Sequence, residues 1–341
     1  MSNSRLTRDN PLLSRPKIRE IDLTESQTPS ARKPIVSCEI NFTTRLSSKV
    51  AGYVELGLAE STRRAYAADL AHFEAWGGTI PASDGTVASY IADQAELLSV
   101  ATLCRRLATI SKAHTTKGLT SPTSSELVKA TIKGIKRSLG TAQTEARPLL
   151  KDDLFAMLDG TGNDIKSIRD RALLLVGFAG GFRRSELVGL DAEDIKLVRR
   201  GIIVQLRWSK TDQLGAGRKI AIPYGRTRWC PVSALDTWLS LSAIERGALF
   251  RCIDRYGQIR NQRLSGEAVA LVLRERLAKT GIDPAGYSGH SLRAGLVTSA
   301  AMAGASTWKI RAQTGHASDA MLARYVRDSD MFTSNAAGAI L

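Results

Sequence analysis

Apolar residues recur along most of this chain at helical rather than strand spacing. From Leu46 the series Leu46, Val50, Tyr53 and Leu56 starts a helix, and Ser61 or Thr62 is placed to cap a second helix with Tyr66, Leu70 and Phe73 inward. A third helix is predicted over 99–117, with Leu103, Leu107, Ile110 and His114 as its stripe and Arg105, Arg106, Thr109 and Lys112 off it. The stretch Ile168 to Gly181 is apolar nearly all round and predicts a buried helix. It stops at Gly180-Gly181, and a new helix opens around Phe182-Arg183-Arg184-Ser185-Glu186-Leu187. Alternation takes over at Ile202, Val204, Leu206 and Trp208, then at Ile220 and Ile222, which predicts a β-hairpin over 201–223 joined by residues 210–217. Helices at 231–246 and 266–280 follow, with Pro231 in a first turn and Gly247 and Gly281 beyond the ends. Short helices are expected from about 289, 306 and 318, with Ser306 and Ser318 as caps.

This order predicts a mainly α protein with a small β-hairpin or sheet, divided in two. Residues 1–42 are polar and carry Pro11, Pro16, Pro29 and Pro34, so they read as an arm without a core of its own. Residues 43–138 read as a helical domain and 139–150, with Gly140 and Pro148, as a linker. Residues 151–341 read as an α+β domain ending in a tail at 326–341 that includes Met331, Phe332 and a small apolar end.

Composition narrows the partner. The 341 residues carry a net charge of +15, with 43% hydrophobic and 6% aromatic content, which fits a globular protein that meets a polyanion. An anionic membrane is the alternative to nucleic acid, but the longest apolar run, Ala172 to Phe182, is 11 residues, against the ~20 that a membrane helix needs. The first residues show no apolar signal region, and Cys38, Cys104, Cys230 and Cys252 are scattered without a C-x-x-C pair. A reducing, cytoplasmic setting is the expectation, with neither a disulfide framework nor a bound zinc.

Charge is uneven within the helical domain. Residues 101–140 hold eight cations (Arg105, Arg106, Lys112, Lys117, Lys129, Lys133, Lys136, Arg137) against the single acid Glu126. A solvated basic face is the ordinary reading of such a run; the imbalance points instead to phosphate contacts by Arg105, Arg106, Lys112, Lys117, Lys133, Lys136 and Arg137, with Arg63 and Arg64 on the preceding helix.

The chemistry-bearing residues lie further on. His290 and Arg293 stand three apart at a helix start, and Gly315-His316 is followed nine residues after the histidine by Tyr325. Metal-free cleavage of a phosphodiester needs fixed cations for the nonbridging oxygens, and arginine offers a permanently charged fork. It needs a nucleophile: a free tyrosine is ionised to only about one part in a thousand at neutral pH, a cost of roughly 4 kcal/mol that a histidine or the field of arginines can offset. A lysine or histidine must protonate the leaving oxygen. Tyrosine attack would keep the bond energy in a phosphotyrosyl link, so rejoining needs no ATP. Taken singly, each residue is ordinary: Arg183 a surface arginine, Lys210 a solvated hairpin lysine, Glu186 an intrahelical ion-pair partner, Tyr325 a packing residue.

Their joint order resembles the tyrosine recombinase (phage integrase) family. The resemblance is carried by GFRRSELVGL at 181–190, WSKTD at 208–212, GHSLR at 289–293 and TGHASDAMLARY at 314–325, with the basic helical segment 99–119. It covers most of the chain beyond the arm, and GHSLRAG is most similar to Cre-type members. The resemblance implies an N-terminal helical core-binding domain and an α+β catalytic domain without metal or other cofactor. By position, Arg183 and Arg293 would clamp the scissile phosphate, His290 would support proton transfer and Lys210 would protonate the leaving 5′ oxygen. His316 would bond a nonbridging oxygen, Tyr325 would attack, and Glu186 would brace the site. Arg184 is turned away from it by one helix step of about 100°. The implied partner is double-stranded DNA with an inverted-repeat site, bound by protomers that are monomeric in solution and tetrameric on DNA. Type IB topoisomerases use a similar Arg, Lys, His and Tyr set, so relaxation of supercoils is the alternative activity. Where many integrases follow the second arginine with a His-Thr or similar pair, this chain has Ala294-Gly295.

Overall fold

The computed structural model describes residues 49, 53, 57–141, 146–209, 212 and 215–329. The expected arm, the helix from Leu46, Lys210 and the tail beyond 329 lie outside the described residues. The chain divides into two compact units, Met1–Thr141 and Ala142–Leu341.

The first unit is helical: α1 (Glu60–Ala75), α2 (Asp84–Asp93), α3 (Val100–Thr116) and α4 (Glu126–Leu139). Ser83, Ser99 and Ser125 each cap a helix by accepting an amide hydrogen from its first turn. Ser61 and Thr62 do not cap α1, which begins one residue before Ser61, after Ala59, with no side-chain cap. Phe73, Val87, Tyr90, Ile91, Ile110 and Val128 form the core. His114 packs as expected but is also bonded at both nitrogens. Its Nε2 accepts the Ala82 amide at 2.9 Å, so Nδ1 bears the hydrogen and donates to the Ile110 carbonyl at 2.8 Å.

Two of the expected phosphate-binding arginines turn inward. Arg106 is buried and donates from Nη1 to the Tyr90 hydroxyl and to His72 Nδ1, both at 2.8 Å. Arg105, half-exposed, grips the Asp69 carboxylate through Nε and Nη2, both at 2.8 Å. Asp69 is 3% exposed and takes a further bond from Thr109. Burial alone would raise the Asp69 carboxyl, but the bonds from Arg105 and Thr109 and the charges of Arg105 and Arg106 hold it below the usual range. The inward face of α3 is therefore wider than its apolar stripe, because a carboxylate on α1 supplies a counter-charge. Arg64, Lys112, Lys117, Lys133, Lys136 and Arg137 are exposed, and Lys129, Lys133 and Lys136 share one side of α4 at i, i+4, i+7.

The second unit is built on α6 (Ile165–Gly180), which buries Leu173, Leu174, Leu175 and Val176. Around it stand α5 (Lys151–Asp159), α7 (Arg184–Gly189), α8 (Pro231–Ser242), α9 (Gly266–Ala278), α10 (Ser291–Met302), α11 (Thr307–Thr314) and α12 (Asp319–Ser329). The expected hairpin is the larger part of an antiparallel sheet of β1 (Ile195–Val198), β2 (Gly201–Leu206) and β3 (Arg218–Pro223), with Val204 opposite Ile220. β1 escapes sequence reading because it is a four-residue edge strand with two exposed positions. A second pair, β4 (Arg251–Ile253) and β5 (Ile259–Arg263), is too short and polar to show alternation. α8 ends before 246 because Ala243 adopts a left-handed conformation, φ 51°. The fully buried Asp170 is bonded by Arg169 and Arg276, which ties α6 to α9.

The end of the expected linker belongs to this unit. The Arg147 amide donates to the Gly286 carbonyl at 2.9 Å and the Leu149 amide to the Ser291 carbonyl at 3.0 Å. Leu149 is fully buried, and its carbonyl lies where a Cβ on Gly295 would fall, at 1.7 Å. Gly295 thus has a steric reason: there α10 presents bare backbone to the incoming segment.

Candidate active site

The turn after α6 sets the first cation. Gly181 takes the left-handed conformation, φ 59°, and a Cβ there would come within 2.8 Å of the Leu296 and Thr314 side chains. Phe182 is buried beside it, so Arg183 emerges as the N-cap of α7 with most of its side chain covered. Glu186 fixes it twice: the carboxylate accepts the Arg183 amide at 2.9 Å and its Nη1 at 2.6 Å. Arg184 is exposed, and its side chain runs past Gly266 and Gly289.

The second cation comes from α10. His290 is the exposed N-cap residue, and Arg293 stands three residues on, 2% exposed. Arg293 Nη1 donates to the carbonyls of Gly181 at 2.8 Å and Thr314 at 2.6 Å. Its Nη2 is buried and has no hydrogen-bond partner among the described residues. An unsatisfied buried donor costs about 1–3 kcal/mol, more when charged. Burial and the charge of Arg183 lower the Arg293 guanidinium to about 10, so it stays cationic at neutral pH. Buried Nε atoms of Arg106 and Arg171 also lack hydrogen-bond partners among the described residues but have other compensation: Arg106 Nε lies 3.7 Å from the Asp69 carboxylate, and Arg171 stacks over Trp229.

The third group hangs on the end of α11. Gly315, at φ 68°, closes the helix in a left-handed cap and turns the chain so that His316 is buried. His316 Nδ1 lies 2.7 Å from Thr314 Oγ1, whose own hydrogen goes to the Ile310 carbonyl at 2.7 Å. Burial, then the charges of Arg293 and Arg183, lower the His316 imidazolium to about 3, so the ring is neutral at neutral pH. Tyr325 on α12 is half-buried, with its ring centroid 6.4 Å from that of His316. Leu322, packed with Val297 and Ile310, anchors the helix that carries it.

Arg218 was not singled out by the sequence. It donates from Nη1 to the Gln313 carbonyl at 2.9 Å and from Nη2 to the Thr314 carbonyl at 3.1 Å, which caps the last turn of α11. Burial, together with the charge of Arg183, lowers its guanidinium, while Glu186 opposes the shift. Strand periodicity held the signal: Arg218, Ile220 and Ile222 share a face of β3, and that face is inward. The hairpin connection is tied down by Asp212, whose carboxylate accepts the Ala216 and Gly217 amides at 3.0 and 2.6 Å.

Arg183, Arg218 and Arg293 thus converge with the single carboxylate Glu186. The excess positive charge, the bare Nη2 and the adjoining phenol fit a phosphate with a nucleophile beside it. Among the described residues no group of His, Cys, Asp or Glu could hold a metal ion, and no helix is long and apolar enough to cross a membrane.

The family described as the Phage integrase family matches residues 147–331. The chain belongs to that family. The integrase/recombinase XerD homolog of Selenomonas ruminantium is 38% identical over 312 residues, which is 89% of this chain and 92% of that protein. The tyrosine recombinase XerD of Mycobacterium tuberculosis (strain ATCC 25618 / H37Rv) is 30% identical over 182 residues, 50% of this chain and 53% of that protein. Among solved structures, a lambda integrase dimer bound to a COC′ core site aligns with TM-score 0.59 at 17% identity, over 82% of this chain and 75% of the other. XerH bound to a palindromic difH substrate aligns with TM-score 0.56 at 18% identity, over 80% and 76%. These structural likenesses are of fold. As a tyrosine recombinase, this integrase is an enzyme of DNA breaking and rejoining and acts in site-specific recombination. Within it, Arg183, Glu186, Arg293, His316 and Tyr325 are gathered by α7, α10, α11 and α12, with His290 at the exposed start of α10. Lys210 lies outside the described residues, and the basic residues of α1, α3 and α4 belong to the other unit.

Proposed function

We propose that this integrase cuts DNA by attack of Tyr325 on a phosphate held by Arg183 and Arg293, forming a 3′-phosphotyrosyl intermediate. His290 supports proton transfer, Lys210 protonates the 5′ oxygen, His316 bonds a nonbridging oxygen and Glu186 holds Arg183. The observation that carries this reading is Arg293: its Nη1 is occupied by two carbonyls while the buried Nη2 has no hydrogen-bond partner among the described residues. A diester oxygen would satisfy that nitrogen and neutralise the surplus charge together.

On this reading each protomer binds one half of an inverted-repeat site in double-stranded DNA. Monomers in solution assemble as a tetramer on two sites and exchange strands through a Holliday junction, in the cytoplasm. The exposed Arg64, Lys112, Lys117, Lys133, Lys136 and Arg137, with the half-buried Arg63, contact phosphates from the helical unit. The binding of XerH to its difH substrate and of lambda integrase to a core site supports a DNA partner.

The test is covalent capture. Wild type and Tyr325→Phe are incubated with fragmented DNA of the source genome, denatured, and the attached ends sequenced. Adducts only in wild type and at one repeated sequence are expected. Adducts spread over many sequences would favour a relaxing topoisomerase, and adducts that survive in Tyr325→Phe would move the nucleophile elsewhere.

A further inference from the structure

Thr314 sits at the centre of the site and has no place in the chemistry so far. Its carbonyl accepts from Arg293 Nη1 and Arg218 Nη2, and its hydroxyl joins the Ile310 carbonyl to His316 Nδ1. The hydroxyl has one hydrogen, and a carbonyl can only accept, so that hydrogen belongs to the Ile310 bond. The 2.7 Å contact to His316 must then be Nδ1–H donating to Oγ1. A neutral ring with its hydrogen on Nδ1 carries a bare lone pair on Nε2. Such a ring accepts at Nε2 and donates nothing to a phosphate oxygen.

We propose that Thr314 is a positioning residue that holds His316 as the Nδ1–H tautomer, so that Nε2 accepts the Tyr325 proton and only then donates to the phosphate. This rests on the reading of Tyr325 as nucleophile. In the step, the Tyr325 O–H bond breaks as the His316 Nε2–H bond forms, and the phenolate oxygen bonds phosphorus while the P–O5′ bond breaks. The leaving oxygen takes its proton from the general acid. The new imidazolium has both hydrogens placed, one on Thr314 Oγ1 and one on a nonbridging oxygen. Nucleophile activation and oxygen stabilisation become one proton transfer.

The surroundings favour this order. The charged and titratable groups around His316 are Arg293 on α10, Arg183 at α7, Arg218 on β3, His290 and Tyr325, with Glu186 acting on Arg293 and Arg218, and Arg311 donates to its carbonyl. Burial, then the cations among them, keep the ring neutral until an anion arrives, which is the state a proton acceptor must start from. A bound phosphate then raises its proton affinity.

The first experiment reads the ring itself. Two-bond nitrogen–proton spectra of the 15N-histidine-labelled full chain separate the tautomers, and the chain has only 4 histidines. His316→Asn assigns the signal. Hydrogen on Nδ1 is expected, and hydrogen on Nε2 overturns the proposal. The second follows adduct formation on a nicked suicide substrate against pH for wild type, Thr314→Val and Thr314→Ser. Thr314→Val should bind DNA normally yet form adducts about tenfold more slowly. Its acid limb should move to lower pH, because the imidazolium has lost its acceptor. Thr314→Ser should restore both. Wild-type rate and limb in Thr314→Val would overturn the proposal, whereas absence of Tyr325 adducts in wild type would overturn the site reading beneath it.

Discussion

Each unit of this integrase gathers arginines on buried carboxylates, and the clusters around Asp69 and Glu186 end differently. In the helical unit, Asp69 is held by Arg105 and lies 3.7 Å from Arg106, and Arg106 also bonds Tyr90 and His72. In the catalytic unit, Glu186 pairs with Arg183, while Arg293 and Arg218 donate to backbone carbonyls. The first arrangement is closed and the second is short of negative charge. Buried arginine alone does not mark a functional site; the missing counter-charge does.

The sharpest break of this contrast is on the closed side. Asp69→Ala would leave two arginines facing a cavity and should destabilise the helical unit by about 3 kcal/mol, the low end for a broken buried pair because Arg105 is half-exposed. Denaturant melts of the full chain check this, and a loss below about 1 kcal/mol would mean that Asp69 is not needed as counter-charge. On the open side, Arg293→Lys keeps a charge but loses the fork. It should slow adduct formation by roughly 100-fold with DNA binding retained. A loss under about threefold would remove Arg293 from the phosphate site.

The depressed His316 gives the open site a pH signature without DNA. Its folded value, about 3, lies below the ordinary 6.5, so the unfolded chain takes up a proton first as pH falls. Stability is therefore lost progressively between those two values, by about 2 kcal/mol at about pH 5. His316→Asn should flatten that part of the wild-type pH–stability curve; an unchanged slope would place the titration elsewhere. The smallest effect expected is on the exposed helical face. Alanine at Lys133 and Lys136 should each reduce the salt slope of DNA binding by about 1, while Arg105→Ala should leave the slope unchanged. A slope change from Arg105→Ala would put that guanidinium on DNA despite its bond to Asp69.

Sequence spacing reached the helices with strong apolar periods, such as α6, and the family resemblance named the residues Arg183, Glu186, Arg293, His316 and Tyr325 that the fold gathers. It missed what other parts of the chain decide. Arg106 read as surface because its partners, Asp69, His72 and Tyr90, come from α1 and α2, far off in sequence. Arg218 left only the weak trace of an inward position on β3, and Thr314 left none, because the bonds that join them use a backbone carbonyl, which every residue has. Ala294-Gly295 looked like a departure from a family pattern until the Leu149 carbonyl was found against Gly295. Local pattern carries periodicity and motif; counter-charge and close approach are properties of the folded chain.

The central claim is that the charge left open around Arg293 serves a phosphate attacked by Tyr325. The direct measurement is to trap the protein on a nicked suicide substrate, digest the adduct and find by mass spectrometry which peptide carries the nucleotide. The account predicts a single modified residue, Tyr325, in wild type, and no modified peptide in Tyr325→Phe. Nucleotide on any other residue, or cut DNA with no protein attached, would contradict it.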